Sequence, residues 1–219
     1  LAGAVAGIIS GSITMTGLAN ELINGIIAVS NNHLIIALFL TMLCCIVLGM
    51  GVPTTANYCI MAATCAPILI RMGVPALAAH FFVFYFGIVA DITPPVALAA
   101  YAGSAIAKAN PMKTAFNASR LAIAVFIVPY VFCFSPALLM IDTNAMEVIR
   151  IVITSFIGIF GVAAGLEGYL KKEMNPLQRV LFVAAGLMLI FPSWITDIVG
   201  IVLIAAVIIW QYAEAAKKA

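Results

Sequence analysis

Leu34–Leu48, LIIALFLTMLCCIVL, runs into Gly49-Met50-Gly51-Val52-Pro53-Thr54-Thr55-Ala56-Asn57, and the chain then turns apolar again over Tyr58–Ile70, YCIMAATCAPILI. A helix of 15 residues reaches only about 22 Å at ~1.5 Å per residue, short of a ~30 Å hydrocarbon core. Two short apolar arms flank a break holding two glycines, a proline and three polar side chains. This pattern predicts a re-entrant helical hairpin, about 34–72, whose tip stops inside a membrane. A pair of ordinary short helices, or one kinked helix, is the competing reading. Arg71-Met72-Gly73-Val74-Pro75 closes the second arm.

A second interruption follows. Ala76–Ala90 is apolar and carries His80 with Phe81, Phe82, Phe84 and Phe86. Asp91-Ile92-Thr93-Pro94-Pro95 then precedes Val96–Ala107. Two consecutive prolines remove two backbone donors and clash with preceding carbonyls, so a regular helix cannot pass through them. The stretch 76–107 is therefore predicted to be a broken helix carrying a carboxylate at the break. Carbonyls freed at bilayer depth are tolerated only inside protein or against a water-filled cavity.

Upstream, Leu1–Val29 is long enough to span. Ser10, Gly11, Ser12, Thr14, Thr16 and Gly17 crowd its middle. Such small and hydroxyl residues serve helix packing or line a polar cavity beside a loosened helix, and Ser12, Thr14 and Thr16 are the candidates for that lining. Glu21 reads as interfacial, and Ser30-Asn31-Asn32-His33 as a polar turn. Downstream, Met112–Met140 is predicted to span with kinks at Pro129 and Pro136. Val148–Leu170, Val180–Phe191 and Trp194–Tyr212 supply three further membrane segments. Asp197 reads as interfacial, and Glu167 is expected to pair with Lys171 on one helix face.

Composition agrees over the whole length. Of 219 residues 65% are apolar and 8% charged, with a mean hydropathy of +1.23, where a soluble domain has about a quarter charged. This excludes a water-soluble globule, a disordered chain and a basic nucleic-acid-binding module, and leaves an all-α polytopic membrane protein with room for roughly six or seven embedded segments. The chain opens at Leu1 inside an apolar stretch without an initiator Met, and it reads as part of a longer membrane protein. Cys44, Cys45, Cys59, Cys65 and Cys133 sit in apolar segments without metal-ligand spacing and read as small buried hydrophobes. Motifs for a nucleophile elbow, a zinc protease or a phosphate loop do not occur, and His33 and His80 share no carboxylate pattern, so enzyme readings find little support.

Charge sets an orientation. Lys108, Lys113 and Arg120 flank one connection, Lys171, Lys172 and Arg179 another, and Lys217 and Lys218 lie at the end. Positive-inside bias places 108–120, 171–179 and the C-terminus in the cytoplasm. Counting back puts 71–75 and 30–33 outside, with Arg71 the single dissent, and starts the first helix inside.

Secondary transporters bind substrate and coupling ions near the bilayer midplane, at discontinuous helices and hairpins. A small cation needs hard oxygen ligands. Unwound carbonyls around Gly49, Gly51 and Pro53, with the side chains of Thr54, Thr55 and Asn57, meet that need. The helix after the tip aims its N-terminus, with partial positive charge, at the same place, which suits an anionic group. Thr93, with the carbonyls before Pro94 and Pro95, adds oxygens. Asp91 either binds a cation, relays a proton, pairs with a basic group elsewhere, or caps the broken helix.

The segments GMGVPTTAN at 49–57, HFFVFYF at 80–86 and ITPPVALAAY at 92–101 together resemble the large membrane subunit of TRAP transporters, in the fused form that works with TAXI-type binding proteins. The resemblance covers about residues 1–140, and 148–212 resembles the C-terminal extension of such permeases. It implies a tripartite sodium-driven importer in a bacterial inner membrane, in which a periplasmic solute-binding protein delivers an organic anion such as a carboxylate. A small membrane subunit or its fused equivalent would be the other partner; the resemblance implies no cofactor, with sodium as the coupling ion. Residues 1–140 would then be the second of two inverted repeats and 141–219 a transmembrane extension. The resemblance carries ion or substrate binding onto Gly49, Gly51, Pro53, Thr54, Thr55, Asn57, Thr93, Pro94 and Pro95, with sodium at Gly49, Thr54, Asn57 and Thr93. Asp91 lies outside that pattern. A proton-coupled carrier or channel relaying through Asp91, and a structural subunit whose breaks serve only packing, are the alternatives.

Overall fold

A computed structural model describes residues 7–8, 11–12, 15–190 and 193–216. These are mostly helical, and no β-strand forms among them. The chain divides into two compact units, 1–133 and 134–219.

In the first unit, helix α1 (Leu18–Ser30) begins only after Gly17, whose φ of +75° is left-handed. The expected single span is therefore interrupted there, because a left-handed residue cannot continue a right-handed helix. Helix α2 (Leu34–Leu48) is the first arm; the second consists of α3 (Thr54–Thr64) and α4 (Ala66–Arg71). Pro67 at the start of α4 has no N–H, so the backbone resets at Cys65, a break the apolar run conceals. Ile68 near the end of the second arm clusters with Ala37 near the start of the first, on Ile23 and Ile26 of α1. The chain thus doubles back at 49–53.

Helix α5 (Ala76–Val89) lies against α2, α3 and α4 and ends in a single 3-10 turn, Ala90–Ile92. A cis peptide joins Pro94 to Pro95, and α6 (Leu98–Ile106) resumes two residues later than expected, after Ala97 in the left-handed region at φ +35°. Helices α7 (Pro111–Leu121) and α8 (Ile123–Phe134) meet at 42°. That bend falls at Ala122 rather than at Pro129, which is accommodated inside α8. Pro136 opens a 3-10 turn beyond the helix end. Aromatic rings lock α8 onto α5: Tyr130 sits edge-on to Phe82 and Phe86, and Phe132 to Phe81 and Tyr85.

The second unit holds α9 (Ala145–Glu167), α10 (Pro176–Ile190) and α11 (Trp194–Ala216). Glycines let the first two approach backbone to backbone: a Cβ on Gly186 would lie 2.5 Å from the Gly158 carbonyl oxygen and 2.7 Å from Val162 N. Asn144 caps α9 by accepting from Glu147 N–H at 3.0 Å. One expectation changes here. Helix α9 stops at Glu167 on left-handed Gly168, so Lys171 does not share its face; the Lys171 ammonium lies 4.3 Å from the Tyr212 ring centroid instead. Asp197 is 6% exposed and pairs with Arg150 at 3.3 Å.

Among the described residues two helices are long and apolar enough to cross a membrane, Ala145–Glu167 and Trp194–Ala213, and the bent pair α7–α8 makes a third if it counts as one span. Leu34–Leu48, Ala76–Ile92 and Pro176–Ile190 are apolar but shorter. Among the described residues, glycine and proline divide much of the apolar chain into helices below 18 residues.

Candidate functional site

The two breaks meet at one side chain. Asn57, in the first turn of α3, is 2% exposed, and its Nδ2 donates to the Gly87 carbonyl at 3.0 Å. Gly87 lies in the last turn of α5, where helix carbonyls lack an intrahelical donor. A Cβ on Gly49 would fall 2.8 Å from Asn57 Nδ2, and one on Gly87 3.1 Å from it. The amide is thus clasped between two glycines, one from each broken element. The same Gly49 Cβ would lie 3.0 Å from Ala90, the neighbour of Asp91.

Asn57 Oδ1 is buried and has no hydrogen-bond partner among the described residues. An amide oxygen in that position costs on the order of 1–3 kcal/mol, so the site is chemically incomplete as a packing arrangement. It is an oxygen donor facing no donor, which suits a hard cation. No trio of His, Cys, Asp or Glu side chains gathers as a metal group among the described residues.

The tip itself is a tight turn. Val52 N–H reaches back to the Gly49 carbonyl at 3.4 Å, and Gly51 takes φ +75° with open space where a Cβ would stand. Pro53 precedes α3 and no side chain caps the helix. Gly51, Pro53, Thr54 and Thr55 are exposed, while Gly49 and Asn57 are buried. The structure therefore brings Gly49 and Asn57 together and leaves the two threonines on the outer rim of the turn.

At the second break most freed carbonyls have found donors. Thr93 Oγ1 donates to Val89 O at 2.7 Å, Ser119 Oγ to Ile92 O at 3.0 Å, and Tyr101 OH to Pro95 O at 2.6 Å. The carbonyl before Pro94, expected to be free, accepts from Ala97 N–H at 3.1 Å. The Thr93 hydroxyl proton is committed, and its lone pairs remain. Pro94 is half-buried and Pro95 exposed. Asp91 is half-buried, and no hydrogen bond or ion pair reaches its carboxylate among the described residues.

Ser12 and Thr16 are exposed, and Thr16 Oγ1 donates to Ser12 O at 2.7 Å; Thr14 lies outside the described residues. Sequence reasoning missed Gly87, Ser119 and Tyr101. An isolated glycine inside an apolar helix is a signal of close backbone approach. Ser119 carries no local signal, because its partner is 27 residues away.

Residues 1–146 match the family model described as the tripartite ATP-independent periplasmic transporter, DctM component. The chain belongs to that family. No curated protein and no solved structure matches it. The matched part of this DctM chain contains the doubled-back arms, the clasped Asn57 and the double-proline break, while most of α9 and all of α10 and α11 lie beyond it. DctM proteins are membrane components of transporters that work with a binding protein and a small subunit, and a transporter family is not an enzyme class. The chain is accordingly a multi-pass TRAP transporter membrane subunit.

Proposed function

We propose that this DctM chain is the permease subunit of a sodium-coupled importer that receives organic anions, such as carboxylates, from a periplasmic solute-binding protein. Residues 1–140 act as the second repeat of the transport domain, with the doubled-back arms as a re-entrant hairpin, and 141–219 as a transmembrane extension. The subunit sits in a bacterial inner membrane with its C-terminus in the cytoplasm, as the lysine and arginine distribution suggests.

The observation that carries this is Asn57. Its buried, unpartnered Oδ1 stands in the first turn of α3, beside the Gly49 turn. Sodium takes its ligands from that oxygen, the Gly49 carbonyl, the Thr54 hydroxyl and the Thr93 hydroxyl lone pairs. A cation there neutralises an oxygen-rich turn. The uncapped N–H groups of α3 remain for the substrate carboxylate, with the exposed Thr55 beside them. Ion and anion thus favour one another across the same turn, the coupling that symport requires.

Reconstitution of the complete assembly with its binding protein tests this. Uptake is expected to collapse when potassium replaces sodium. Asn57→Ala and Thr54→Ala are expected to raise the sodium concentration for half-maximal uptake, about tenfold per lost ligand at 1.4 kcal/mol. Unchanged uptake in potassium refutes the proposal. The half-buried, unpartnered Asp91 supports a second reading, proton coupling. There uptake follows pH, ignores sodium and is abolished by Asp91→Asn.

A further inference from the structure

We infer that the second unit binds a phospholipid with a primary-ammonium headgroup, in a cavity of about 630 Å³ formed by the N-terminal ends of α9 and α11. This site is separate from the transport chemistry proposed above. Its polar lining comes from Asn144, Glu147 and Arg150, and its apolar wall from Ile149, Ile153 and Trp194.

Both charges are held in place. Arg150 Nη1 donates to Asp197 Oδ2 at 3.3 Å, and the guanidinium lies 4.4 Å from the Trp194 ring centroid. Asp197 uses one of five guanidinium N–H donors, so the planar fork keeps others for a phosphate. Glu147 Oε2 accepts from Thr143 Oγ1 at 3.2 Å. A cation and an anion thus flank one opening, and Asp197 brings the local sum of the three groups to minus one. That sum disfavours a headgroup that is anionic overall and favours one with a phosphate for Arg150 and an ammonium for Glu147. Choline carries no N–H to donate to Glu147, and one face of Trp194, its usual aromatic partner, is taken by Arg150.

The wall below supplies a place for an acyl chain. Ile149, Ile153, Phe156 and Phe160 are all at least half exposed. Their spacing of four, three and four residues puts them on one face of α9. From Ile149 to Phe160 this ridge runs about 17 Å at ~1.5 Å per residue, close to half of a ~30 Å hydrocarbon core. Headgroup pocket and one-leaflet ridge are continuous, as a lipid requires. Trp194 and Arg150 at its head fit the headgroup level of a bilayer, where tryptophan rings gather and long cationic side chains reach toward water.

The test uses tryptophan fluorescence, since Trp194 and Trp210 are the two tryptophans of the chain. The full chain with Trp210→Phe is reconstituted into phosphatidylcholine vesicles doped with a lipid brominated in its acyl chains. The dopant headgroup is ethanolamine, choline or glycerol. Brominated phosphatidylethanolamine is expected to quench Trp194 at roughly tenfold lower mole fraction than the other two, the low end of what one charge-assisted hydrogen bond contributes. Glu147→Gln, which keeps the Thr143 contact, is expected to erase the preference while leaving the protein folded, as unaltered Trp194 emission in undoped vesicles would report. Equal quenching by all three lipids, stronger quenching by the glycerol lipid, or a preference that survives Glu147→Gln overturns the inference. So does a Trp194 that no brominated lipid reaches, the result expected of a protein partner in the cavity.

Discussion

Replacing Gly49 by alanine adds one methyl group where both broken elements converge. The backbone there, φ −78° and ψ −10°, is one that alanine adopts without strain, so the cost is steric alone. The new Cβ would meet Asn57 Nδ2 at 2.8 Å, the Cys45 carbonyl oxygen at 2.9 Å and Ala90 Cβ at 3.0 Å. None of the three can yield freely. Cys45 O belongs to helix backbone, Asn57 is anchored on Gly87 O, and Ala90 follows α5 directly. Overpacking of this kind costs about 1–3 kcal/mol, offset by about 0.4–1 kcal/mol because alanine restricts the unfolded chain. The expected net loss is on the order of 1–2 kcal/mol, read as a lowered thermal midpoint of the purified protein. Gly51→Ala makes a control: its Cβ meets open space, but φ +75° imposes a left-handed penalty of about 1–2 kcal/mol without touching Asn57. The two losses are similar in size and differ in coupling. Combined with Asn57→Ala, Gly49→Ala should lose less than the sum of the singles, because the clash with Nδ2 is gone, while Gly51→Ala should add. A Gly49→Ala protein as stable as the parent, or losses that add with Asn57→Ala, would refute the clasped amide.

In the second unit, Gly186→Ala drives a methyl into the Gly158 carbonyl and Val162 N, and a lower thermal midpoint by about 1–3 kcal/mol of stability is expected. Arg150→Met leaves the buried Asp197 carboxylate without its counter-ion and should cost about 3 kcal/mol. Arg150→Met with Asp197→Leu should recover most of that loss, and a double mutant as unstable as the sum of its singles would contradict the pairing. Tyr101→Phe removes the donor to the Pro95 carbonyl and is expected to cost about 1 kcal/mol. Its expected signature in hydrogen exchange is faster opening of α6, with α9 unaffected.

The apolar runs and their punctuation carried the helix assignment a long way. Pro53, Pro75, Pro111 and Pro176 each stand at a helix start, where a missing N–H costs nothing. The Gly49–Pro53 and Asp91–Pro95 interruptions are legible because glycine and proline act on their own backbone. The same locality gave no sign of the break at Ala122. A proline predicts a kink from its own chemistry, but the 42° bend between α7 and α8 falls at Ala122, while Pro129 stands inside α8, the helix whose Tyr130 and Phe132 pack on α5. Lys171 was misplaced for a related reason, since Tyr212 lies 41 residues away along the chain, and the partner of Asp197, Arg150, is equally unannounced at 47 residues.

What the sequence determined alone is that the chain prefers hydrocarbon to water, that it is helical, and that its helices break twice beside oxygen-bearing residues; these follow from side-chain transfer energies and from the covalent limits of glycine and proline. Tertiary structure decided which oxygens are spent. The Asp91–Pro95 break lends its carbonyls to Ser119, Tyr101 and Ala97, and the Gly49–Asn57 break keeps one amide oxygen in reserve. That division depends on donors brought from other helices, and a hydrogen bond across 27 or 30 residues has no trace in local pattern.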